Sequence, residues 1–356
     1  MRSTEFLRQR LINQQIASPA SKKPQEIVSW LVAMQAQEYA MAKWAIGLRL
    51  PGGRDADIEK ALNEGHILRT HLMRPTWHFV TPEDIRWLLA LTAPHVKAIS
   101  AFYYRKNELD QKVFRLANKS ITKALQGGHQ LNRNALRGVL EKAKIIADGE
   151  RLALLLMYAE LEGIICSGAR QGKQFSYALL EERAPGSKTM PRDEALSTLV
   201  LRYFTSRGPA TLQDFSMWSG LTMKDARDGI ASVKSTFIRE TIDGREYIFS
   251  PATTNTKKNI QSTFLLPDYD EYGISYKNRN ALINPKHNTP ENNIPDPSFS
   301  HSIVVDGRFG GKWKRTVKNN KVQVETKPFA GSTRTQIRAI EKAVKKYDHF
   351  VEEEAK

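Results

Sequence analysis

Two acids separated by one residue, Asp268 and Asp270, lie beside Tyr269 and Tyr272 and have the side-chain type needed for general acid–base catalysis. Acids in such positions also cap turns or pair with arginines, so both roles stay open. The sequence contains no GxxxxGKS/T phosphate loop, no GxSxG nucleophile turn and no HExxH zinc motif. Its 8 histidines show no metal-ligand spacing, and a single cysteine, Cys166, excludes a cysteine-rich zinc site. We therefore expect neither a metal nor an organic cofactor.

Net charge is the strongest compositional signal: +16, from 54 Lys and Arg against 38 Asp and Glu in 356 residues. A surplus of this size attracts polyanions and indicates nucleic acid or an anionic membrane surface as the partner. The membrane alternative is weak, because no apolar run approaches the roughly 20 residues that span a bilayer. The N-terminal stretch MRSTEFLRQRLINQQ also lacks the apolar core of a signal peptide. We expect a cytoplasmic protein that binds no membrane.

The elements that must position these residues follow a pattern of helical stretches and then a pair of strands, which occurs three times. The runs of the first occurrence are STEFLRQRLINQQI, KPQEIVSWLVAMQAQE and DADIEKALNEG, then ILRTHLM and TWHFV. Apolar spacing predicts three helices, the last ended by Gly65, and the strand runs predict a hairpin joined through Arg74-Pro75. Thr81 as N-cap, with Pro82 and Asp84 in the first turn, predicts that a helix restarts at once.

The second and third occurrences have the same order. The second contains a helix near 110–126, LNRNALRGVLEKA with Asn132 as cap, RLALLLMYAELEG closed by Gly163, and the strand runs IICSG and QFSYALL. The third contains PRDEALSTLVLRYFTSRG, TLQDFSMWSG, LTMKDARDGIASV, and the strand runs FIRETI and EYIFS. Thr222 with Asp225 predicts a capping box, and Asp243-Gly244 predicts a two-residue hairpin turn.

The last hundred residues change character. Residues 284–300, rich in Pro and Asn, predict a surface loop. The next run, HSIVVDGRFGGKWKRTVKNNKVQVETKPF, predicts a β-meander with turns at Asp306-Gly307 and Asn319-Asn320. A basic amphipathic helix, TRTQIRAIEKAVKKYDHFV, closes the chain.

Helices followed by a two-stranded hairpin form the winged-helix arrangement, in which a helix enters a DNA groove and the hairpin touches the backbone. We predict an α+β fold, mainly α, with winged-helix units over 1–108, 109–188 and 189–258. A β-rich segment with a closing helix occupies 259–356. Such units are also common protein-interaction modules, but the charge of +16 favours DNA.

The stretch MQAQEYAMAKWAIGLR at 34–49 resembles the AlkZ-like group of bacterial winged-helix DNA glycosylases. Other motifs that resemble the group, in the same order, are RTHLMRPTWHFV at 69–80, GPATLQDFSMWSGL at 208–221, LLPDYDEY at 265–272 and VVDGRFGGKWKR at 304–315. The resemblance implies a C-shaped arch of three winged helices around a basic concave face. It also implies N-alkylated purine substrates, including N7-linked guanine adducts and interstrand crosslinks. Relatives of the YcaQ type have an acid where Gln37 stands, so Gln37 places this chain on the AlkZ side.

The resemblance further implies that Gln35 and Gln37 hold the attacking water near the sugar C1′. Two neutral amides can suffice, because an N7-alkylated guanine already carries a positive charge and leaves without protonation, and positioning alone lowers a barrier substantially. On a regular helix, however, residues i and i+2 point about 200° apart. Either the helix ends near Gln35, or only one amide contacts the water; both can also be plain surface amides. We expect the neighbouring Glu38 to be a solvated charge.

Basic residues on hairpins can reach DNA phosphates without disturbing a core, and they are therefore the candidate DNA contacts. On the first hairpin these are Arg69, His71 and Arg74; on the C-terminal meander they are Arg308, Lys312, Lys314 and Arg315. Trp313 lies among the second group and can either stack or wedge against a base or belong to the core. Each phosphate contact should steepen the salt dependence of binding.

Two functions remain open. The first is a monofunctional DNA glycosylase that acts on alkylated purines in duplex DNA. The second is a non-catalytic DNA-binding protein or transcriptional regulator, in which the glutamines have no role in chemistry. A regulator would usually read palindromic half-sites as a dimer, and the sequence offers no obvious dimerisation helix or ligand domain. We expect a monomeric, nucleoid-associated bacterial enzyme with duplex DNA as its partner.

Overall fold

The computed structural model describes residues 3–233, 237–251, 262–284, 300–318 and 321–352. About half of them are helical and the sheets are antiparallel, so the mixed helical and β character predicted from the sequence is confirmed. The helices are α1 (Ser3–Asn13), α2 (Pro24–Leu31), α3 (Tyr39–Gly47), α4 (Asp55–Asn63), α5 (Pro82–Lys106), α6 (Gln111–Leu125), α7 (Arg133–Lys142), α8 (Gly149–Leu161), α9 (Leu180–Arg183), α10 (Arg192–Arg207), α11 (Leu212–Ser219), α12 (Met223–Val233), α13 (Glu271–Ile274) and α14 (Arg334–Val351). The strands are β1 (Met34–Gln35), β2 (Leu68–Leu72), β3 (Arg74–Val80), β4 (Leu131–Asn132), β5 (Ile165–Ser167), β6 (Ser176–Leu179), β7 (Ile238–Ile242), β8 (Arg245–Phe249), β9 (Thr263–Leu266), β10 (Ser302–Val305), β11 (Arg308–Lys318) and β12 (Lys321–Pro328).

Side-chain caps account for helix boundaries that the sequence predicted. The Asn132 carboxamide oxygen accepts the Ala135 N–H at 3.0 Å and begins α7. At α14, Thr333 and Gln336 form a reciprocal capping box, with bonds of 2.9 and 3.2 Å. Gly163 follows the end of α8 with φ of 67°, a conformation that favours glycine. These helix predictions are confirmed.

The helix predicted through Glu38 is wrong in its second half, because α2 ends at Leu31. Val32 takes a φ of 66°, in the left-handed region, and a right-handed helix cannot continue through it. Every residue from Leu31 to Met34 is buried, so the run is covered on all sides and lacks the one-sided apolar pattern of a surface helix. The glutamine pair therefore follows α2 and does not lie within it.

The first hairpin forms, but its turn lies one residue earlier than predicted. β2 and β3 pair antiparallel from Leu68↔Val80 to Leu72↔Arg74, with a register shift after His71. Met73, with φ of 60°, is the connecting residue. Arg74-Pro75 thus begins β3, and its predicted place as the joint is wrong: Met73 connects the strands, and the register shift puts two extra residues on the β3 side, between Arg74 and Trp77.

The hairpin of the third helical segment has the predicted turn. β7 and β8 pair from Ile238↔Phe249 to Ile242↔Arg245. Asp243 and Gly244 connect them with φ of 49° and 74°. Positive φ at both central residues is the turn whose twist matches a two-residue hairpin, and Asp-Gly favours it.

The C-terminal segment contains the predicted meander and closing helix. Its sheet has the strand order β12-β11-β10-β9, all antiparallel. Asp306-Gly307 joins β10 to β11 with positive φ at both residues, as predicted. The predicted turn at Asn319-Asn320 and the body of the predicted loop, residues 285–299, lie outside the described residues.

The chain divides into two compact units. One unit comprises residues 1–59, 197–218 and 222–356; its core includes Trp44, whose ring centroid lies 4.9 Å from that of Tyr347. The other comprises 60–196 and 219–221; there Phe114 stacks on Tyr158 at 3.7 Å. In this unit Cys166 is fully buried, and burial raises the pKa of its thiol to about 12, so it is a structural residue. Within the described ranges, no helix has both the length and the apolar character needed to cross a membrane.

Candidate active site

The two motif glutamines lie in a short non-helical segment between α2 and α3, which we call the glutamine segment (Met34–Glu38). Gln35 is half-buried, Ala36 is fully buried and Gln37 is exposed. In extended backbone, residues i and i+2 point to the same side and the residue between them points to the other. β1 ends at Gln35 and Gln37 lies in the bend that follows; Ala36 faces the core, whereas the Gln35 amide is half-buried and the Gln37 amide is exposed. The geometric objection raised by a helix does not apply here.

The backbone of the glutamine segment is held by a buried carboxylate. The Gln35 N–H donates to Oε1 of Glu271 at 3.0 Å. The other oxygen, Oε2, accepts from Nη2 of Arg207 at 2.8 Å and from the indole N–H of Trp218 at 2.9 Å. Arg207 Nη2 also donates to the Ala33 carbonyl at 3.0 Å, so the same ion pair fixes the chain on both sides of Met34.

Charge pairing dominates the ionisation of this carboxylate. Glu271 is 1% exposed, and burial by itself raises the pKa of its carboxyl. The Arg207 guanidinium and the hydrogen bonds from Arg207, Gln35 and Ser275 outweigh burial, and the pKa falls to about 2. Glu271 is thus a permanent anion at neutral pH and forms part of the structural framework.

Asp270 has an equally structural role. Its two carboxylate oxygens accept from Nη1 and Nη2 of Arg49 at 2.8 and 2.9 Å, and both side chains are buried. It also caps α13 by accepting the Tyr272 N–H at 2.8 Å. Of the two roles left open for Asp270, arginine pairing and capping is therefore the observed one. We call the pairs Arg49–Asp270 and Arg207–Glu271 the ionic support.

Asp268 differs from both. Its side chain is 19% exposed, and within the described ranges no lysine or arginine pairs with it. Its buried Oδ1 makes no hydrogen bond there, and Nδ1 of His301 lies 3.4 Å away. Burial and, to a smaller extent, the negative charge of Glu38 together raise the pKa of Asp268 to about 6. A carboxyl in this state exchanges a proton near neutral pH.

His301 faces the same place from the segment before β10. Its Nε2 lies 3.0 Å from Sδ of Met41, in α3, and its ring meets Trp313 edge-on at 4.7 Å. Burial, followed by the positive charge of Arg315, lowers the pKa of His301 to about 4. The imidazole is therefore neutral at pH 7 and adds no positive charge beside Asp268.

Sequence reasoning missed three residues of this site: Arg207, Glu271 and His301. Glu271 lies in the LLPDYDEY run. Two of the three acids in this run pair with arginines, but nothing in the sequence indicates which arginines these are. His301 is a lone histidine after a Pro- and Asn-rich stretch, with no signal of its own. Glu38 is exposed, as expected, yet its charge raises the pKa of Asp268 and so acts on the site.

The candidate DNA contacts of the first hairpin do not extend into solvent as a group. Arg69 is buried, and its guanidinium lies over the rings of Trp77 and Phe175 at 4.3 and 4.6 Å. His71 is buried beside Trp77, and its Nδ1 contacts the Glu160 carboxylate. In this conformation β2 is buried at all five positions and presents no solvent face, and contact of Arg69 and His71 with phosphate stays a prediction. Arg74 is half-buried at the start of β3.

The candidate DNA contacts of the C-terminal meander differ in exposure. Lys314 is exposed and pairs with Glu325 across the strands at 2.8 Å; Arg308, Lys312 and Arg315 are half-buried. Trp313 is 4% exposed and its indole N–H donates to the Leu266 carbonyl at 2.7 Å. Of its two open roles, core packing is the one seen in this conformation, and the role in base stacking stays a prediction. Within the described ranges, no group of three or more His, Cys, Asp or Glu side chains is arranged to hold a metal ion.

Comparison with known proteins gives a match to a family model, a related protein and a solved structure of similar fold. The model of the family described as DNA glycosylase AlkZ-like matches residues 28–350. An interstrand DNA cross-link repair glycosylase from Streptomyces sahachiroi is 21% identical over 333 residues, covering 89% of this chain and 88% of that protein. The solved structure of the Streptomyces sahachiroi DNA glycosylase AlkZ superposes with a TM-score of 0.80 at 18% identity, covering 99% of this chain and 97% of the other. That match shows a shared fold.

Proposed function

The chain belongs to the AlkZ-like family of DNA glycosylases, and from this premise we propose that it hydrolyses the N-glycosidic bond of cationic, N7-alkylated purines in duplex DNA. The family match also confirms the resemblance found in the motifs. One observation carries the proposal: the glutamine segment lies outside the helix, with Gln35 half-buried and Gln37 exposed, and Glu38 at its end raises the pKa of Asp268.

The substrate class follows from what the site offers for the leaving group. A normal purine leaves as an anion unless an acid protonates it, whereas an N7-alkylated purine carries a positive charge and leaves as a neutral base. The C1′–N9 electron pair goes to the purine ring, and C1′ becomes oxocarbenium-like. Amides supply no proton, so this site favours the cationic lesion and discriminates against undamaged bases.

The attacking water needs orientation and a proton acceptor. The Gln35 and Gln37 amides each offer donors and acceptors that can fix a water at C1′. As the C1′–O bond forms, the water proton passes to the Asp268 carboxylate, and the negative charge of this carboxylate also stabilises the positive C1′. The products are the neutral alkylated purine, an abasic deoxyribose and a protonated Asp268, which then returns its proton to solvent.

Hydrolysis without a lyase step is part of the proposal. A lyase needs an amine nucleophile at C1′. Lys43, on α3 next to the glutamine segment, has its ammonium held by Asp55 at 2.6 Å and Glu59 at 2.7 Å. These contacts support water rather than an amine as the nucleophile. We include interstrand crosslinks joined through N7 among the substrates, because their linkage carries the same positive charge, and the relative from Streptomyces sahachiroi bears that activity in its name.

The architecture predicted from the sequence is part of the proposal. Three winged-helix units in a C-shaped arch would place DNA against a basic concave face, and the order of helices and hairpins supports such units. Arg74, Arg308, Lys312, Lys314 and Arg315 remain the proposed DNA contacts outside the glutamine segment, with a single copy of the chain acting on nucleoid DNA.

The test uses a duplex with one N7-methylguanine, incubated with the protein and then treated with alkali, which cleaves abasic sites. We expect strand breaks with the wild type, and a loss of about 100-fold or more in single-turnover rate for Gln35→Ala and Gln37→Ala. Gln126→Ala, an exposed glutamine at the end of α6, is the matched control and should retain full activity. Tight duplex binding with no breaks on methylated or crosslinked substrates would instead support the non-catalytic DNA-binding alternative.

A further inference from the structure

A cavity of about 720 Å³ opens in the unit that carries the glutamine segment, and the proposed catalytic residues do not line it. It is lined by the start of α11, by α12, by the turn between β7 and β8, and by residues 277–280. Its four basic side chains are Arg227, Arg245, Lys277 and Arg279. We call this cavity the basic cleft.

The acids of the basic cleft are already occupied. Asp214 accepts the Thr211 N–H at 2.8 Å and the Lys277 N–H at 2.7 Å, so both of its oxygens bind backbone. Glu246 pairs with Arg239 at 3.1 Å across the hairpin. Neither carboxylate therefore neutralises the basic side chains of the cleft through a direct contact.

Three of the cations are left without such a contact. Arg227, Arg245 and Lys277 are exposed, and in the described part of the chain their side chains have neither an ion pair nor a hydrogen bond. Like charges gathered around a concave surface repel one another, and an anion bound between them removes that cost. What sets the cleft cations apart is their place: Arg227, Arg245 and Lys277 line one cavity from three separate parts of the chain.

We propose that the basic cleft binds the phosphodiester backbone of duplex DNA beside the damaged nucleotide. This inference rests on the proposed function and deepens it by assigning a phosphate-contact surface to α12 and the β7–β8 turn. Arg227 stands on the helix and Arg245 on the hairpin, so a strand backbone that enters the cleft meets cations from two elements at once. Arginine and lysine contacts to phosphate add affinity without reading sequence. The chain from Glu271, beneath Gln35, to Lys277 in the cleft is only six residues long.

The test measures the salt dependence of binding to an unmodified duplex. In the double variant Arg227→Gln/Lys277→Gln we expect the slope of log K against log[salt] to become less steep by about 1.8, since each lost phosphate contact on duplex DNA accounts for about 0.9. Lys342→Gln/Lys345→Gln removes the same formal charge from exposed positions of α14 outside the cleft, and the slope should change by much less. Thermal melting establishes that all variants fold.

The outcomes separate this inference from the proposed function. Equal slope changes in the two double variants would mean that only the general field of the protein matters, and the inference would be wrong. Saturable binding of inorganic phosphate by the wild type, with duplex slopes unaffected by the cleft substitutions, would likewise overturn it in favour of a small-anion site. If excision of N7-methylguanine persists in either case, the glycosylase proposal stands alone; if the wild type neither binds duplex nor excises, both fail.

Discussion

The carboxylates of the ionic support and of the Asp268–His301 pair lie within four consecutive positions of the chain, 268–271, yet their surroundings differ in charge. In the ionic support, Asp270 and Glu271 each form an ion pair with a buried arginine. Asp268, two residues earlier, meets only a neutral histidine at 3.4 Å and has a raised pKa. Asp268 and Asp270 are the same type of residue, so the group that each carboxylate contacts decides its role.

The comparison teaches how a chain can hold a reactive carboxylate in place. Two acids that are paired with arginine anchor the segment and the backbone of Gln35, at the cost of desolvating four charges. The third acid is then positioned by the backbone and needs no partner of its own. A partner would lower the pKa of Asp268 and make it a weaker proton acceptor.

The largest expected effect comes from breaking the ionic support. Glu271→Gln leaves the Arg207 guanidinium buried without its counter-charge, and we expect a loss of about 3–5 kcal/mol in the free energy of unfolding. Urea denaturation at pH 7 measures this. Asp268→Asn is the comparison variant within the same segment and should cost no stability there, because it removes a partly desolvated charge that has no cationic partner.

The size of this effect depends on pH in a defined way. The pKa of Glu271 is lowered from 4.5 to about 2, so its stabilisation is fully present above pH 4.5 and is lost as the pH falls towards 2. The difference in stability between wild type and Glu271→Gln should therefore shrink over that window. A constant difference from pH 7 to pH 2 would contradict the assigned ion pair.

The next effect concerns catalysis at Asp268. Asp268→Asn keeps the size of the side chain but cannot accept the water proton, and we expect the single-turnover excision rate to fall by about 100-fold. Asp270→Asn is unsuitable as a control, because it also breaks a buried pair. Asp57→Asn, on the exposed part of α4, is suitable and should leave the rate unchanged. An unaltered rate for Asp268→Asn would remove Asp268 from the mechanism and leave the two glutamines alone with the water.

The smallest effect is the pH dependence of that same rate. Because the ionised form of Asp268 accepts the proton, the wild-type rate should rise as the pH passes about 6 and then level off. The charged or titratable groups around it are Glu38, His301 and, beyond His301, Arg315. The effect of Glu38 is included in the pKa of about 6, and His301, with its pKa lowered to about 4, is neutral throughout the rise and should not displace the midpoint. Rates measured from pH 5 to 8 on N7-methylguanine duplex test this, and Asp268→Asn should lose the rise.

Much of the fold could be predicted from local signals. Caps such as Asn132 and Thr333, and the Asp243-Gly244 and Asp306-Gly307 turns, are determined by the conformations that these residues themselves favour, so their neighbours in space hardly matter. The helix over Leu31–Glu38 failed for the opposite reason. Its apolar residues are buried on every side by distant parts of the chain, and the apolar pattern of the sequence cannot distinguish that from an amphipathic face.

The sequence by itself determined the basic character of this protein, its family, and the two glutamines that stand two residues apart. Only the tertiary structure decided which acids are paired, because Arg49 and Arg207 lie 221 and 64 residues away from their carboxylates. It likewise decided that Arg69, His71 and Trp313 are interior residues. Pairing and burial depend on contacts between remote segments, and these set both the charge state of a side chain and the side of the backbone from which it can act.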